Sequence, residues 1–266
     1  MNDSLYIAAT GMQAQQKNLD TIANNLANLT TPGFKTGRVN FQDMVYRMGQ
    51  PAGAEALSLA PSNASAASSD AHGTGVSVLS MSQQFTMGEM KKTDGVLDVA
   101  ISGAGFFEVS LPDGTRAYSR GGALQVNADG FLSSPEGNML KPGIHIGSDV
   151  KSVSIMADGK VMVQANGQNS ASEVGTIDMS TFADPTGLTP LGQNLYKPSA
   201  KSGEPVFGRP GENGVGTLAQ GFTEMSNVNM INEMVNLMTA QRAYEMSVKV
   251  IQASDEMLAM SNNLRK

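Results

Sequence analysis

The stretch VNMINEMVNLMTAQRAYEMSVKVIQASDEMLAMSNNLRK, residues 228–266, contains no Gly or Pro and decides the fold class of this protein. It predicts one long helix, for which Ser226, Asn227 and Asn229 are the candidate N-caps. At a rise of about 1.5 Å per residue, this helix would be up to roughly 55 Å long. Its apolar residues lie on two opposed faces, and one partner helix covers only one of them. The other face needs a further layer or another molecule.

Each of the two faces is defined by apolar residues at helical spacing. The first face comprises Met234, Leu237, Tyr244, Val248, Ile251 and Leu258. The second face comprises Ala243, Met246, Val250, Ala253, Met257, Met260 and Leu264. We expect Met234 to be an ordinary core residue. For Met246, Met257 and Met260, a core position and an intermolecular contact are both open, because unbranched Met adapts to several slightly different neighbours.

The amino-terminal end predicts a second helix that pairs with the first. Apolar residues recur at steps of three and four between Ser4 and Leu29, and Pro32 ends the pattern. The members of this stripe are Leu5, Ala8, Met12, Leu19, Ile22, Leu26 and Leu29. Three asparagines, Asn24, Asn25 and Asn28, crowd one end although Asn is a poor helix former. They form either a solvent face near a frayed end or a set of amides that bond to a neighbouring chain.

The middle of the chain has the pattern of a mostly antiparallel sheet. Asp113-Gly114, Asp129-Gly130 and Asp158-Gly159 each separate two short runs of strand-forming residues, which is a strong hairpin signal. The predicted fold class is therefore α+β. We expect a helical assembly domain made of residues 1–35 and 226–266, and a β-rich outer domain at 73–225.

Residues 36–72 are predicted to form an extended linker between these two domains. Within the linker, the segment Gln50–Asp70 contains Pro51, Pro61 and the Ala/Ser-rich run that begins at Asn63, and it has no sustained periodicity. We expect this segment to be mobile in the isolated chain and to become ordered on assembly.

Composition excludes several classes of function. The net charge is −6 and no basic run is present, which argues against a nucleic-acid binder. Cys is absent and there are two histidines, His72 and His145, so thiolate chemistry is impossible and a multi-histidine metal centre is not expected. No apolar run has the length of about 18 residues that a membrane span needs. The segment Met1–Asn18 lacks the features of a conventional secretory signal.

No catalytic or cofactor-binding constellation emerges from the motifs. Gly103-Ala104-Gly105 begins like a dinucleotide fingerprint, but its third glycine position holds Glu108 and a strand pattern follows. We interpret these glycines as bulges or close backbone approaches. The Asp-Gly turns lack the alternating oxygen ligands of a calcium loop, and no Gly-x-Ser-x-Gly elbow is present. We therefore expect neither an enzyme nor a bound cofactor or metal.

Motifs along the whole chain resemble those of the bacterial flagellar rod and hook proteins. The amino-terminal motifs are ANNLAN at 23–28 and TPGFK at 31–35. The central motifs are DVAI at 98–101, GFF at 105–107 and YSRG at 118–121. The carboxyl-terminal motifs are QGF at 220–222, Glu224, SNVN at 226–229, EMV at 233–235 and QRAYE at 241–245. Within the family, FQDMVY at 41–46 followed by the segment Gln50–Asp70 is similar to both the distal rod and the hook. The chain length and LGQNLY at 191–196 favour the distal rod.

The resemblance implies a structural subunit of the distal rod. Paired terminal helices would form an inner domain, and copies of the chain would polymerise into a rigid helical tube that transmits torque from motor to hook. The tube would span the periplasm, enclose the export channel, and contact the proximal rod, the hook and the surrounding bushing rings. Export through the flagellar type III apparatus would need no cleavable signal. The alternatives are a proximal rod or hook subunit and, in a different class, a secreted β-rich adhesion module.

The residues expected to make subunit contacts lie on both terminal helices. In the amino-terminal helix they are Leu5, Met12, Leu19, Ile22, Asn24, Asn25, Leu26 and Asn28. In the carboxyl-terminal helix they are Met234, Leu237, Tyr244, Met246, Val248, Val250, Ile251, Met257, Met260 and Leu264. The linker residues expected to become ordered on assembly are Gln50, Pro51, Pro61 and Asn63.

Overall fold

The protein has an α+β fold, as the sequence predicts, with a helix at each end of a β-rich middle. The computed structural model describes residues 2–44, 47–48, 71–147, 150–167, 170–212 and 214–263. The helices are α1 (Asn2–Ala27) and α2 (Met230–Asn263). The chain divides into two compact units. Unit 1 consists of Met1–Ala23, Arg38–Met81 and Met234–Lys266, and unit 2 of Asn24–Gly37 and Ser82–Glu233.

The strands are short and follow one another closely along the chain. The first ten are β1 (Gly37–Asp43), β2 (Arg47–Met48), β3 (Ala71–His72), β4 (Val76–Gln83), β5 (Met90–Lys92), β6 (Val99–Ser102), β7 (Phe106–Ser110), β8 (Arg116–Ser119), β9 (Gln125–Val126) and β10 (Leu132–Ser133). The others are β11 (Met139–Lys141), β12 (Val150–Ile155), β13 (Lys160–Ala165), β14 (Ser172–Thr176), β15 (Met179–Thr181), β16 (Thr189–Gly192), β17 (Leu195–Lys197), β18 (Val206–Gly208), β19 (Thr217–Gln220) and β20 (Phe222–Glu224).

Local chemistry accounts for the start of α2 and the end of α1. The Oδ1 atom of Asn229 accepts a hydrogen bond from the amide of Asn232 at 3.1 Å, so Asn229 is the N-cap of α2 among the three candidates. The helix α1 ends at Ala27, shortly before Pro32, which cannot continue it. Gly33 then turns the chain with a φ of 72°, a conformation that favours glycine.

The largest sheet of unit 2 is antiparallel and joins strands that are distant in sequence. Within the described residues its order is β16-β17-β8-β7-β11-β10-β9, with β15 paired to both β7 and β18. A separate sheet has the order β12-β13-β14. The Asp-Gly pairs form the tight connections of three hairpins, β7–β8, β9–β10 and β12–β13, which confirms the prediction. In these turns Gly114, Gly130 and Gly159 have φ values of 79°, 81° and 88°.

The core of unit 2 has an aliphatic part and an aromatic part. Most of it is aliphatic, with Val99, Ile101, Leu132, Leu140 and Ile177 almost completely buried. A second cluster is aromatic and brings together five of the nine Phe and five Tyr residues of the chain. Its members, Phe85, Phe106, Tyr118, Phe182 and Tyr196, pack edge to face with ring centroids 4.9 to 6.3 Å apart.

Candidate assembly surface and buried charge cluster

The amino-terminal stripe is the covered face of α1. None of its seven predicted members is exposed, and Ala8 and Ile22 are buried. Within unit 1, α1 contacts α2, and a Cβ atom placed on Gly11 would lie 3.7 Å from the Oγ of Ser247. Small residues on the facing positions allow the two helix backbones to approach closely.

The covered face of α2 contains only part of the first predicted stripe. Leu237, Val248, Ile251 and Leu258 are half-buried. Met234 is 50% exposed and Tyr244 37% exposed, so the expectation that Met234 is a core residue is wrong. Small side chains replace them on the covered face, where Ala240 and Ser254 are buried.

The opposed face of α2 is open to solvent in the single chain. Met246, Val250, Met257 and Met260 are 65%, 48%, 49% and 58% exposed. Four large apolar side chains along one face of a helix are more than scattered surface apolar residues, and such patches mark interaction sites. Their role in subunit contacts stays a prediction. Leu264 and the linker residues Gln50, Pro51, Pro61 and Asn63 lie outside the described residues.

The three asparagines at the end of α1 do not act as one group. Asn25 is buried, and its Nδ2 donates to the carbonyl of Gly37 at 3.0 Å and to Oε2 of Glu233 at 3.2 Å. The Nδ2 of Asn28 donates to the carbonyl of Asn24 at 2.9 Å. Both amides are therefore used within the chain, and neither predicted role, a solvent face or a contact with a neighbouring chain, describes Asn25. Asn24 is exposed, and its assembly role stays a prediction.

A buried cluster of three charges joins the three regions that carry the sequence motifs. The carboxylate of Glu224 accepts a hydrogen bond from Nζ of Lys35 at 2.6 Å and one from Nε of Arg120 at 3.0 Å. All three side chains are at most 2% exposed. The amide of Gly88 also donates to Glu224, at 2.8 Å. We call Lys35, Arg120 and Glu224 the charge cluster.

The charge cluster holds two cations and one anion, and backbone carbonyls offset the excess positive charge. Nζ of Lys35 donates to the carbonyl of Thr86 at 2.7 Å. Nη1 and Nη2 of Arg120 donate to the carbonyls of Gly105 and Gly103 at 3.2 and 2.9 Å. These carbonyl dipoles satisfy the donors that the single carboxylate cannot reach. The glycines of the 103–105 motif thus serve as carbonyl acceptors and not as a phosphate cradle.

The electrostatics of the charge cluster keep Glu224 ionised. Burial by itself would raise the pKa of Glu224, but the charge of Arg120 and the hydrogen bond and charge of Lys35 hold it below its ordinary value of 4.5. Burial lowers the pKa of Lys35, and the hydrogen bond from its ammonium group to Glu224 opposes that effect. Nearby, burial raises the pKa of Tyr196 to about 12, against the lowering effect of Arg120.

A polar junction next to the charge cluster also ties the motif regions together. Oδ1 of Asn227 accepts hydrogen bonds from the amide and the hydroxyl of Thr36 at 2.8 and 2.7 Å. Its Nδ2 donates to the carbonyl of Gln84 at 2.8 Å. Asn227, one of the three N-cap candidates, is thus a cross-link between distant segments. Lys35, Arg120 and Glu224 belong to the family motifs, but sequence reasoning did not predict that they meet, because no local pattern indicates partners 104 and 189 residues away.

Acid should weaken unit 2 through Glu224. Because its pKa is lowered in the fold, its stabilising contribution is complete above the ordinary pKa of 4.5 and is lost as the pH falls through the lowered value. We expect the difference in unfolding free energy between the native protein and Glu224→Gln to be constant near neutral pH and to narrow below about pH 4.5. Urea unfolding between about pH 7 and pH 3 measures this difference. A difference independent of pH would contradict the prediction.

The structure also bears on metal binding, on membrane-spanning helices and on the two histidines. In the part of the chain that the structure describes, no group of three or more His, Asp or Glu side chains could hold a metal ion. Neither described helix is long and apolar enough to cross a membrane. His145 forms a bridge with Phe131, and the two rings pack edge to face at 5.2 Å. The side chain of His72 lies outside the described part of the chain.

Three family models match the chain. "Flagella basal body rod protein" matches residues 5–35, "Flagellar hook protein FlgE/F/G D1 domain" matches 100–163, and "Flagellar basal body rod FlgEFG protein C-terminal" matches 219–264. Lys35, Arg120 and Glu224 each fall in a different one of these ranges. The charge cluster therefore connects all three parts of the chain that the models match.

Relatives of known name match over nearly the whole length. The flagellar basal-body rod protein FlgG of Borreliella burgdorferi is 41% identical over 100% of both chains. FlgG of Bacillus subtilis is 36% identical over 99% of both chains. FlgF of Mesorhizobium japonicum is 34% identical over 92% of this chain and 90% of its own length. The chain thus belongs to the family of flagellar rod and hook proteins, and it is a structural protein of the flagellar basal body and not an enzyme.

Proposed function

We propose that this protein is the subunit of the distal rod, and that copies of it polymerise into a helical tube. The observation that carries the proposal is the open apolar face of α2, formed by Met246, Val250, Met257 and Met260. The similarity to FlgG, the distal rod protein, over full length supports the distal rod over the proximal rod or the hook. The identity to FlgF of Mesorhizobium japonicum, 34%, is lower than that to either of these FlgG proteins.

The energetics of the open face favour association of identical copies. Burying one large apolar side chain stabilises a complex by roughly 1.5–3 kcal/mol, so four such residues supply a substantial part of a subunit contact. The open face of α2 lies opposite the face of the same helix that is already covered within the subunit. It therefore remains available for a contact with another copy of the chain. A contact between two different surfaces that does not close a ring generates an open helical polymer.

The proposed polymer accounts for stiffness and for an axial channel. Close-packed protein interiors have low compressibility, and a tube in which every α2 is covered on both sides would resist twisting. Such a tube would transmit torque from the motor to the hook and would enclose the path by which later subunits are exported. We further propose that the chain itself leaves by the type III apparatus, spans the periplasm in the assembled rod, and contacts the proximal rod, the hook and the bushing rings.

The substitution Val250→Asp tests the open face. A carboxylate at this position would be buried without a partner in the polymer, which costs about 3 kcal/mol or more and raises the critical concentration for assembly at least about 100-fold. We expect a folded chain with a normal circular dichroism spectrum and no tubes in electron micrographs at concentrations where the native protein forms them. The measurement is sedimentation and microscopy over a concentration series.

Gln252→Asp is the matched control for this test. Gln252 is exposed, lies two residues from Val250, and has Lys249 and Glu256 as neighbours on the helix surface. We expect this variant to assemble like the native chain, because an added carboxylate there remains in water. Normal tube formation by Val250→Asp would show that the open face is not an interface. A native chain that stays monomeric and binds glycan would instead support the adhesion module.

A further inference from the structure

One short segment near the end of the chain holds unit 2 together. We call residues 216–227, which contain β19 and β20, the keystone segment. Among the described residues, β6 pairs only with β19 and β5 pairs only with β20, so both earlier strands have their strand partner in the keystone segment. Outside this segment, the amide of Val99 in β6 donates to the carbonyl of Gly122. The backbone of the keystone segment also binds the segment after α1, because the amide of Gly33 donates to the carbonyl of Glu224 at 2.7 Å.

Polar side chains of the keystone segment connect other parts of unit 2 to one another. Nε2 of Gln220 donates to the carbonyls of Val96 and Val153 at 2.7 and 3.0 Å, and its Oε1 accepts from the amide of Ile155 at 3.0 Å. Glu224 neutralises the charge cluster, as described above. Asn227 bonds to the segment after α1 and to the carbonyl of Gln84. A single segment thus links the region after α1, the 84–104 region and the β12 region.

All these partners lie far back along the chain. The side-chain hydrogen bonds of Gln220, Glu224 and Asn227 to these regions span from 65 to 191 residues. Closing contacts of such separation costs chain entropy, and the hydrogen bonds of the keystone segment that offset this cost form only when the segment is in place. Without it, Lys35 and Arg120 would be buried with no carboxylate, and β5 and β6 would present unpaired edges.

We infer that the keystone segment closes unit 2, and that no part of unit 2 is stably folded before residues 216–227 join it. The inference rests on the proposed function, in which the chain travels through a narrow axial channel. A chain whose keystone segment is still inside the channel cannot complete unit 2, so premature folding during export is prevented by the topology of the fold itself.

Refolding of the full-length protein tests this inference. The chain is diluted from urea, and hydrogen-exchange pulses followed by mass spectrometry report when each strand becomes protected. We expect long-lived protection of the β7–β8 and β12–β13 hairpins to appear in the same kinetic phase as protection of β19 and β20. Protection of either hairpin about 10-fold or more ahead of β19 and β20 would overturn the inference.

Substitutions in the keystone segment provide a second test of the inference, separate from the refolding of the native chain. We expect Glu224→Gln to slow the shared phase about 10-fold or more, and Gln220→Ala to slow it by a smaller factor. Glu212→Gln, at an exposed position outside the keystone segment, should leave the rate unchanged. If Glu224→Gln does not fold, Gln220→Ala still gives a rate, and native refolding rates for Gln220→Ala would count against the inference.

Different experimental outcomes would contradict the closing role of the keystone segment and the proposed rod function. Early protection of the hairpins in a chain that still forms tubes refutes the closing role of the keystone segment and leaves the rod subunit intact. A chain that folds in one shared phase but forms no tubes at any concentration refutes the rod subunit and leaves the closing role intact.

Discussion

Replacing Glu224 by glutamine is expected to lower the free energy of unfolding by about 3–5 kcal/mol. Glutamine keeps the shape of the side chain but removes the only carboxylate of the charge cluster, so Lys35 and Arg120 remain buried without an anionic partner. The cost of an uncompensated buried charge is larger than that of a lost surface ion pair. Urea unfolding followed by near-UV circular dichroism, to which the buried Tyr118 and Tyr196 contribute, measures the loss.

Glu136→Gln is the control for this substitution. Glu136 is exposed in the turn that connects β10 and β11, and the change there should alter the unfolding free energy by about 0.5 kcal/mol or less. A loss of less than about 1 kcal/mol in Glu224→Gln would show that the charge cluster contributes little to stability, and that the carbonyls of Thr86, Gly103 and Gly105 alone hold the two cations.

The second large effect is expected for Gly122→Ala, with a loss of about 3 kcal/mol or more. A Cβ atom on Gly122 would lie only 1.8 Å from the carbonyl oxygen of Val99. The two backbones are held at this distance by a hydrogen bond from the amide of Val99 to the carbonyl of Gly122 at 2.8 Å. A methyl group therefore forces the main chains apart at the start of β6, next to buried core residues. Thermal unfolding measures the loss.

Gly147→Ala separates this steric effect from the general effect of replacing glycine. A Cβ atom on Gly147 would meet no atom within 4 Å, and its φ lies outside the range that favours glycine. We expect this variant to match the native stability or to exceed it slightly, because alanine restricts the unfolded chain. Equal stabilities for the two variants would mean that the backbone of Gly122 can move at little cost.

The local elements of the fold could be read from the sequence because their causes are local. A 39-residue stretch without Gly or Pro, from Val228 to Lys266, allows little except a helix, and Asp-Gly pairs between short strand-forming runs specify tight hairpins. The covered stripe of α1 follows from spacing alone. The same spacing rules failed for Met234, because on a helix with apolar residues on both sides they do not say which face a partner covers.

The long-range parts of the site could not be predicted. The concentration of five aromatic residues into one cluster and the use of Asn25 and Asn227 as internal cross-links both depend on partners brought together by topology. The sequence on either side of a charged residue such as Arg120 does not indicate whether its side chain is solvated or buried.

The sequence by itself determined the α+β class, both terminal helices, the hairpins and, through its motifs, the family. Only the tertiary structure decided that Lys35, Arg120 and Glu224 meet, and that β5 and β6 find their partners in one segment near the carboxyl end. The physical reason is the separation along the chain between the residues that interact. Helices and turns are fixed by the conformational preferences of neighbouring residues, whereas buried charges are fixed by the need for a partner, and that partner can lie anywhere along the chain.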